Sequence, residues 1–325
     1  GGHLCQGWPN DFHHISKQLN PDDATLAWTA GMAAVDMVSA RIKKHKIACD
    51  LQFGYLNAAL PPRQMRGLLE MQEEWSHHGY THFTALEDSH ALAPYINSDA
   101  YCGGLYDAGS GQIQPLKYLH GLALAARGAG ARIFQESPVI QIEKGAKKTL
   151  YIEGGHQIMA SKVLLCGNAY LSQIDLAQIG LSEMRSKLAK VTSSVLATKP
   201  LSENLTRHIL PSRATVADCN TALNYFRIDS DNRMIFGGRA SYTNVNFGNV
   251  ETELRQRMVK VFSVLDSIET ERVWSGQIGI TVNRIPHFGR TKDDIYFVQG
   301  FSGHGVALTG LAGTILADAV MGDAE

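Results

Sequence analysis

The chain has 325 residues, of which 44% are hydrophobic, and a formal net charge of −1 at pH 7. This length predicts a large core and two domains. The balanced charge, without a basic stripe, argues against nucleic acid as a partner, and no apolar run is long enough to cross a membrane.

Cysteine usage bears on the compartment in which the protein works. The five cysteines are scattered along the chain and form no C-x-x-C pair. An odd, dispersed set is typical of reduced thiols, so we expect a cytoplasmic protein. The histidines, including the pairs His13-His14 and His77-His78, lack metal-ligand spacing, and no metal site is predicted.

Helix-start signals precede three segments in the first half of the chain. Each segment opens with a proline at or near the first helical position, and the first also has Asn20 as a capping residue. The predicted helices cover about residues 21–45, 62–79 and 115–128. In the last of them, Leu116 and Leu119 belong to an apolar face that we expect to point inward.

Extended segments alternate with these helices. Residues 47–57 and 131–135 are predicted to be strands. The continuous apolar run at 162–167 is typical of a buried parallel strand. A β-meander is predicted from three short runs separated by glycine-containing turns, namely residues 139–143, 149–153 and 157–160.

The second half of the chain changes character. A helix is predicted at 251–266, and strands are predicted at 191–198, 222–228, 234–238 and 273–276. This pattern indicates an antiparallel sheet flanked by helices, inserted between the halves of an α/β domain. The expected fold class is therefore α/β with an α+β insertion.

A glycine-rich corner near the end of the chain is the most informative stretch. Residues 300–306 run straight into an apolar helical face at 307–321. Gly303 and Gly305 let the backbone turn sharply and approach a ligand, and the first N–H groups of the helix favour negative charge there. Such a strand–glycine–helix corner suits the electron-rich edge of a cofactor ring. The alternative is that the glycines only cap a core helix.

This order of elements resembles the D-amino-acid oxidase/sarcosine oxidase family of FAD-dependent amine oxidoreductases. The resemblance runs over nearly all 325 residues. It implies a glutathione-reductase-like FAD-binding domain and an antiparallel-sheet substrate domain. The implied FAD-binding domain comprises residues 1–48, 99–175 and 272–325, and the implied substrate-binding domain comprises residues 49–98 and 176–271.

Local motifs carry the resemblance and imply contacts with FAD, which we expect to be non-covalent. The start of the chain is similar to the end of a turn beside the flavin, and its His3 is expected to contact the ring rather than attach to it covalently. The implied cofactor-binding residues are Gly1, Gly2, His3, Val139, Cys166, Gly167, Asn168, Ala169, Arg284, Pro286, Gly300, Phe301, Ser302, Gly303, His304, Gly305 and Val306.

One departure from the family pattern is large. The family begins with a strand and a G-x-G-x-x-G turn that holds the FAD pyrophosphate, and no such motif occurs here. Because the chain starts with Gly1 rather than Met, we expect the first βαβ unit to lie upstream and a C-terminal tail to be missing too. The chain alone is therefore expected to bind FAD weakly or not at all and to be inactive.

The resemblance also implies the chemistry. A hydride passes from the carbon that bears the amine to flavin N5, water hydrolyses the imine to an aldehyde and ammonia, and molecular oxygen reoxidises the flavin. His304 is the candidate donor to the flavin edge, through its ring or backbone, and a surface histidine is the alternative. Arg239 is the candidate for positive charge near the ring or for a substrate carboxylate, and a solvated charge is the alternative.

Tyr225 and Trp274 are the candidates for the walls of an amine pocket, with a place in the core as the alternative. Residues 216–220, 225–227, 231–233 and 300–306 resemble family members that oxidise γ-glutamylputrescine, and imply that substrate and a role in putrescine catabolism. The same chemistry on sarcosine or a D-amino acid is the first alternative, and would need a smaller pocket with a carboxylate clamp. A cofactor-free, non-catalytic fragment is the second.

Overall fold

The computed structural model describes residues 1–221, 223–241 and 249–322, apart from the side chains of Ser172, Arg185, Arg239 and Ala240. Its strands are β1 (His3–Leu4), β2 (Gln52–Ala59), β3 (Phe83–Leu86), β4 (Gly103–Gln112), β5 (Val139–Glu143), β6 (Lys148–Ile152), β7 (His156–Ala160), β8 (Val163–Leu165), β9 (Leu188–Thr198), β10 (Thr215–Asp218), β11 (Tyr225–Ile228), β12 (Met234–Ser241), β13 (Thr270–Thr281), β14 (His287–Arg290) and β15 (Ile295–Gln299).

The α-helices are α1 (Phe12–Ser16), α2 (Pro21–His45), α3 (Pro62–His77), α4 (Ser89–Leu92), α5 (Pro115–Gly128), α6 (Glu203–Ile209), α7 (Val250–Val261) and α8 (Gly305–Met321). Three of them, α2, α3 and α5, begin at the prolines that predicted them. Among the described helices, none is long and apolar enough to span a membrane.

The chain divides into two compact units. The first unit comprises residues 1–5, 46–119 and 192–276. The second unit comprises residues 6–45, 120–191 and 277–325.

A large sheet forms the frame of the first unit. Its strand order is β1-β4-β2-β10-β11-β12-β9-β13, and β3 pairs with β4. Antiparallel pairing joins β4 to β2 and runs from β10 through β11 and β12 to β9, whereas β10 lies parallel to β2. The antiparallel sheet predicted in this half of the chain is therefore confirmed.

Aromatic rings centre the core of the first unit. Phe226 of β11 and Phe236 of β12 are register partners, so their rings lie on one face of the sheet. The two rings are stacked, with centroids 5.5 Å apart and planes 5° from parallel, and Phe262 meets Phe226 edge-on at 5.3 Å. Leu254 and Met258 of α7 belong to the same core cluster and are fully buried.

Two small sheets and a helix pair form the second unit. One sheet is the predicted meander β5-β6-β7, and the other has the order β14-β15-β8, in which β8 runs parallel to β15. The two longest helices, α2 and α8, pack against each other. Gly310 faces α2, where a Cβ on it would lie 3.7 Å from Val38 Cγ2, and Arg41 Nη2 donates to its carbonyl oxygen at 3.4 Å. The meander and the parallel pairing agree with the sequence prediction, but the predicted full burial of the strand was wrong, because Leu164 is 41% exposed and Cys166 is exposed.

Two local predictions were wrong. Leu116 and Leu119 are 55% and 60% exposed, and α5 buries Tyr118 instead. Residues 131–135 form no strand, and Ile133 and Phe134 in this segment are exposed. A strand needs a neighbour for its backbone N–H and C=O groups, and the described residues supply none here. The predicted start of β11 at residue 222 lies outside the described residues.

The compact units differ from the predicted domain boundaries in several places, and residues 1–5, 46–48 and 272–276, expected in the FAD-binding domain, lie in the first unit. Residues 99–119, expected in the FAD-binding domain, lie in the first unit because β4 pairs with β2 and β3. Residues 176–191, expected in the substrate domain, lie in the second unit because Leu176 and Met184 join the core around Leu165. The assignment of cofactor and substrate to separate domains stays a prediction.

The stacked phenylalanines give a test of the first unit's core. Phe226→Ala is expected to lower the free energy of unfolding by about 3–5 kcal/mol, because it opens a cavity among rings that cannot close over it. Chemical denaturation followed by circular dichroism measures the change. Val282→Ala is the control, since Val282 is 97% exposed. A shift in the Phe226 variant no larger than in the control would contradict this description of the core.

Candidate functional site

The turn after β15 uses left-handed backbone three times. Gly300, Ser302 and Gly303 have φ of 80°, 51° and 88°. A Cβ on Gly300 would lie 2.2 Å from Thr281 Cγ2, so only glycine fits at this position. At Gly303 a Cβ would meet only Ile278 Cδ1, at 3.9 Å. The backbone at Gly303 therefore borders open space in the second unit.

Asn168 holds this turn from the end of the neighbouring strand. It follows β8 in a left-handed conformation, with φ of 46°. Its Oδ1 accepts a hydrogen bond from the Gly300 N–H at 2.8 Å, and the Ser302 N–H donates to Gly279 O at 2.9 Å. Because parallel strands end at the same edge of a sheet, the predicted cofactor turns at 166–169 and 300–306 are brought together.

His304 stands at the N-cap of α8. Its backbone N–H donates to Phe301 O at 2.8 Å, so the backbone donor predicted at this residue is engaged within the turn. Its ring Nε2 lies 3.1 Å from Gln6 O, a hydrogen bond in the tautomer with the proton on Nε2. The next N–H groups, on Gly305 and Val306, donate to no acceptor among the described residues. They are the donors that this corner offers to a ligand.

The glycine pair that opens the chain is held by the first unit's sheet. Gly1 O accepts a hydrogen bond from Arg227 Nε at 2.8 Å, and Gly2 O accepts one from the Ile113 N–H at 2.8 Å. Gly2 has φ of 95°, and a Cβ there would lie 2.4 Å from Ile113 O. Glycine is therefore required at residue 2, and the backbone there lies close against the sheet.

Two tyrosine rings surround His3. The His3 ring meets Tyr55 and Tyr225 edge-on, with centroids 5.6 Å and 5.5 Å apart. The Tyr225 hydroxyl lies 2.9 Å from Ser193 Oγ, and burial raises the pKa of Tyr225. Gly237 lies opposite Tyr225 in the sheet, and a Cβ on it would come within 2.2 Å of the tyrosine Cζ. The ring of Tyr225 therefore occupies the space that glycine leaves.

A cavity of about 910 Å³ lies in the first unit, a volume typical of small-molecule sites. Arg227, Ile235 and Ala197 form a row across β11, β12 and β9, and all three line it. Val273 and Trp274 of β13 add apolar surface. The charged side chains in its wall, besides Arg227, are Asp229, Asp231, Arg233, Glu271 and Arg272.

Arg227 is the most deeply buried of these charges, with 7% of its surface exposed. Burial lowers the pKa of its guanidinium, which nevertheless stays protonated. Besides the glycine carbonyl, it donates through Nη1 to Gln112 Oε1 at 3.3 Å, and it forms no ion pair with a described residue. Arg233, in contrast, pairs with Asp231 at 2.6 Å and Glu271 at 2.7 Å.

The sequence prediction assigned no role to Arg227. The signal was present, because alternation along β11 puts Tyr225 and Arg227 on the same face of a strand whose other face is apolar. A charged residue in such a pattern is buried only where it has a structural or binding role.

The remaining predicted residues are dispersed. Val139 begins β5, while Arg284 and Pro286 lie in the turn between β13 and β14. Trp274 lines the cavity and is 45% exposed. The backbone of Arg239 pairs with Ser194, and its side chain lies outside the described residues. In the described part of the chain, no cluster of His, Cys, Asp or Glu is arranged to hold a metal.

Comparisons with known proteins agree with this geometry. A family model described as FAD dependent oxidoreductase matches residues 1–319. A protein of Haemophilus influenzae described as the probable oxidoreductase OrdL is 36% identical over all of this chain and 74% of its own length. The γ-glutamylputrescine oxidoreductase of Escherichia coli is 34% identical over all of this chain and 75% of its own length.

A solved structure confirms the fold class. Glycine oxidase from Geobacillus kaustophilus matches 97% of this chain and 83% of its own with a TM-score of 0.77. At 21% identity this likeness concerns the fold alone. The mixed α/β fold with antiparallel sheets is the one that the sequence predicted.

The bond between Asn168 and Gly300 can be tested directly. Asn168→Ala removes the acceptor and puts alanine in left-handed backbone, so we expect the free energy of unfolding to fall by about 1–3 kcal/mol. Asn168→Asp keeps an acceptor oxygen and is expected to stay close to the unsubstituted protein. Thermal unfolding of both variants measures the difference. Equal losses in the two variants would show that the acceptor does not hold the turn.

Proposed function

The chain belongs to the family of FAD-dependent oxidoreductases, and from this membership we propose that it oxidises the primary amine of γ-glutamylputrescine. The observation that carries the substrate is the 34% identity, over the whole chain, to the Escherichia coli enzyme named for it. When bound, FAD supplies the acceptor for the hydride, and water hydrolyses the resulting imine to an aldehyde and ammonia.

The corner of the second unit fits the edge of a flavin ring. Open space borders Gly303, and the N–H groups of Gly305 and Val306 meet no acceptor among the described residues. A helix N-terminus favours negative charge, so these donors would stabilise the electron-rich edge of the cofactor. We assign residues 300–306 to FAD and treat Asn168 as a positioning residue that acts through Gly300.

His304 orients the start of α8 in this proposal. The contact of its ring with Gln6 O fixes the imidazole beside the donors of the first helical turn. Within the first unit, the backbone of Gly1 and Gly2 and the ring of His3 are the residues that we assign to the cofactor. Arg239, Val139, Arg284 and Pro286 stay candidates on the resemblance alone.

The first unit supplies a cavity that suits a long, charged amine. Trp274 and Val273 offer apolar surface to a chain of methylene groups, and charged residues of both signs line the rest. The volume of about 910 Å³ favours γ-glutamylputrescine over sarcosine or a D-amino acid, which need far less room. Tyr225, whose ring lies over Gly237, is not among the described residues that line this cavity, and it stays a candidate wall residue beside His3.

We further propose molecular oxygen as the final electron acceptor and the cytoplasm as the compartment. The five cysteines are free thiols in the structure, which supports a reducing environment. Release of hydrogen peroxide during turnover in air tests the acceptor.

An anaerobic spectrum tests the substrate. The holoenzyme, prepared with the family's dinucleotide-binding unit present and loaded with FAD, is mixed with γ-glutamylputrescine, sarcosine or D-alanine, and flavin absorbance is followed. We expect bleaching with γ-glutamylputrescine alone. Bleaching by sarcosine or D-alanine, without reaction of γ-glutamylputrescine, would replace the proposed substrate. A holoenzyme that no amine reduces would overturn amine oxidation.

The proposed role of His304 gives a second test. His304→Ala is expected to lower the rate constant of flavin reduction at saturating amine by about 100-fold, because the Gly305 and Val306 N–H groups lose the contact with Gln6 O that orients the start of α8. Stopped-flow absorbance measures this rate. His14→Ala is the matched control, since His14 is exposed on α1. Similar rates in the two variants would remove His304 from the site.

A further inference from the structure

The buried guanidinium of Arg227 has more donors than the protein uses. Its Nε donates to Gly1 O and its Nη1 to Gln112 Oε1. A guanidinium carries five N–H donors in a planar fork, so the Nη2 edge is left without a hydrogen bond to any described residue. Arg227 lines the cavity, although its Nη2 also lies 3.2 Å from the position of a Cβ on Gly2, and a ligand in the cavity would meet the donors that do not face Gly2.

The positive charge of Arg227 also has no ion-pair partner among the described residues. The carboxylates of Asp229 and Asp50 lie near enough to influence it, yet neither is within ion-pair distance. A buried charge without a partner is costly, and two neutral acceptors do not require an arginine. A planar cation at a cavity wall, with one edge open, matches the geometry of a carboxylate.

Asp229 offers the complementary charge in the same wall. Its Oδ1 accepts hydrogen bonds from the backbone N–H groups of Asp231 at 3.0 Å and Arg233 at 2.8 Å. Its Oδ2 accepts none from the described residues. The carboxylate therefore stays in a fixed orientation with one oxygen available. Asp231 and Glu271, by comparison, are both engaged by Arg233.

We propose that Arg227 and Asp229 bind the α-amino-acid head group of the substrate, with its carboxylate on Arg227 and its ammonium on Asp229. The substrate class is then an ω-amine that carries a zwitterionic amino-acid group at its other end. This inference rests on the proposed function and deepens it, because it says which part of γ-glutamylputrescine the cavity recognises. A plain diamine lacks the carboxylate that Arg227 binds, and a simple acylated diamine lacks both the carboxylate and the ammonium.

Three amines separate the two contacts in the FAD-loaded holoenzyme. γ-Glutamylputrescine has the whole head group, N-glutarylputrescine keeps the carboxylate without the ammonium, and N-butanoylputrescine has neither. With Arg227→Met we expect kcat/KM to fall by about 100-fold for the two carboxylates, mainly through KM, and at least ten times less for N-butanoylputrescine. With Asp229→Asn we expect a fall of about fivefold for γ-glutamylputrescine alone.

Two further variants complete the series. Arg227→Lys keeps the charge without the planar fork and is expected to lose about 10-fold on the carboxylate substrates. Arg207→Met is the matched control, because Arg207 is exposed on α6 and lies outside the cavity wall. If Arg227→Met does not fold, the losses measured for Arg227→Lys and Asp229→Asn test the inference instead. An equal loss on all three amines, or no loss, would overturn the inference and leave the proposed function intact.

A binding measurement separates failure of this inference from failure of the proposed function. L-Glutamine has the same head group and a γ-amide but no putrescine amine, and it is titrated against the holoenzyme by quenching of tryptophan fluorescence, since Trp274 lines the cavity. We expect saturable quenching that Arg227→Met weakens and that butanamide does not produce. If γ-glutamylputrescine fails to reduce the flavin while glutamine binds in this way, the head-group site stands and the proposed reaction fails. Absence of glutamine binding would overturn the site.

Discussion

One parallel pair of strands determines what the second unit can offer a ligand. β8 and β15 lie side by side and end at the same edge, and the turns after them meet in the hydrogen bond between Asn168 and Gly300. A shift of one residue in this register would carry the asparagine away from the glycine N–H. The left-handed backbone of the turn and the position of the first α8 N–H groups both depend on that register.

In the first unit, the corresponding constraint is the burial of a cation, Arg227, in the sheet. Arg227 is held by a backbone carbonyl and an amide oxygen, neither of which neutralises it. Arg233, in the turn of the same hairpin, forms ion pairs with the carboxylates of Asp231 and Glu271 and is more exposed than Arg227. The contrast between two arginines six residues apart shows that burial and charge pairing are set separately at each position. An unneutralised buried cation raises the energy of the empty protein and favours an anionic ligand.

Local chemistry made much of the fold predictable from the sequence. Asn20 Oδ1 accepts from the Asp23 N–H at 2.9 Å, as its place before Pro21 predicts. In the meander, Gly154 and Gly155 supply the left-handed backbone of the turn between β6 and β7, with φ of 87°. Contacts between residues far apart in the chain could not be predicted from the sequence. Asn168 and Gly300 are 132 residues apart, and Arg227 is 226 residues from Gly1. The predictions that Leu116 points inward and that residues 131–135 form a strand were wrong for the same reason. Each outcome depends on which distant element lies next to the segment.

The position of Tyr225 depends on an atom that is absent. Its ring occupies the place where residue 237 would carry a Cβ, and the same ring forms one side of the contact with His3. A single methyl group at residue 237 would displace the tyrosine and disturb the histidine with it. The contact between Tyr225 and His3 is therefore open to change through a residue without a side chain, whose influence is purely steric and passes through a neighbour.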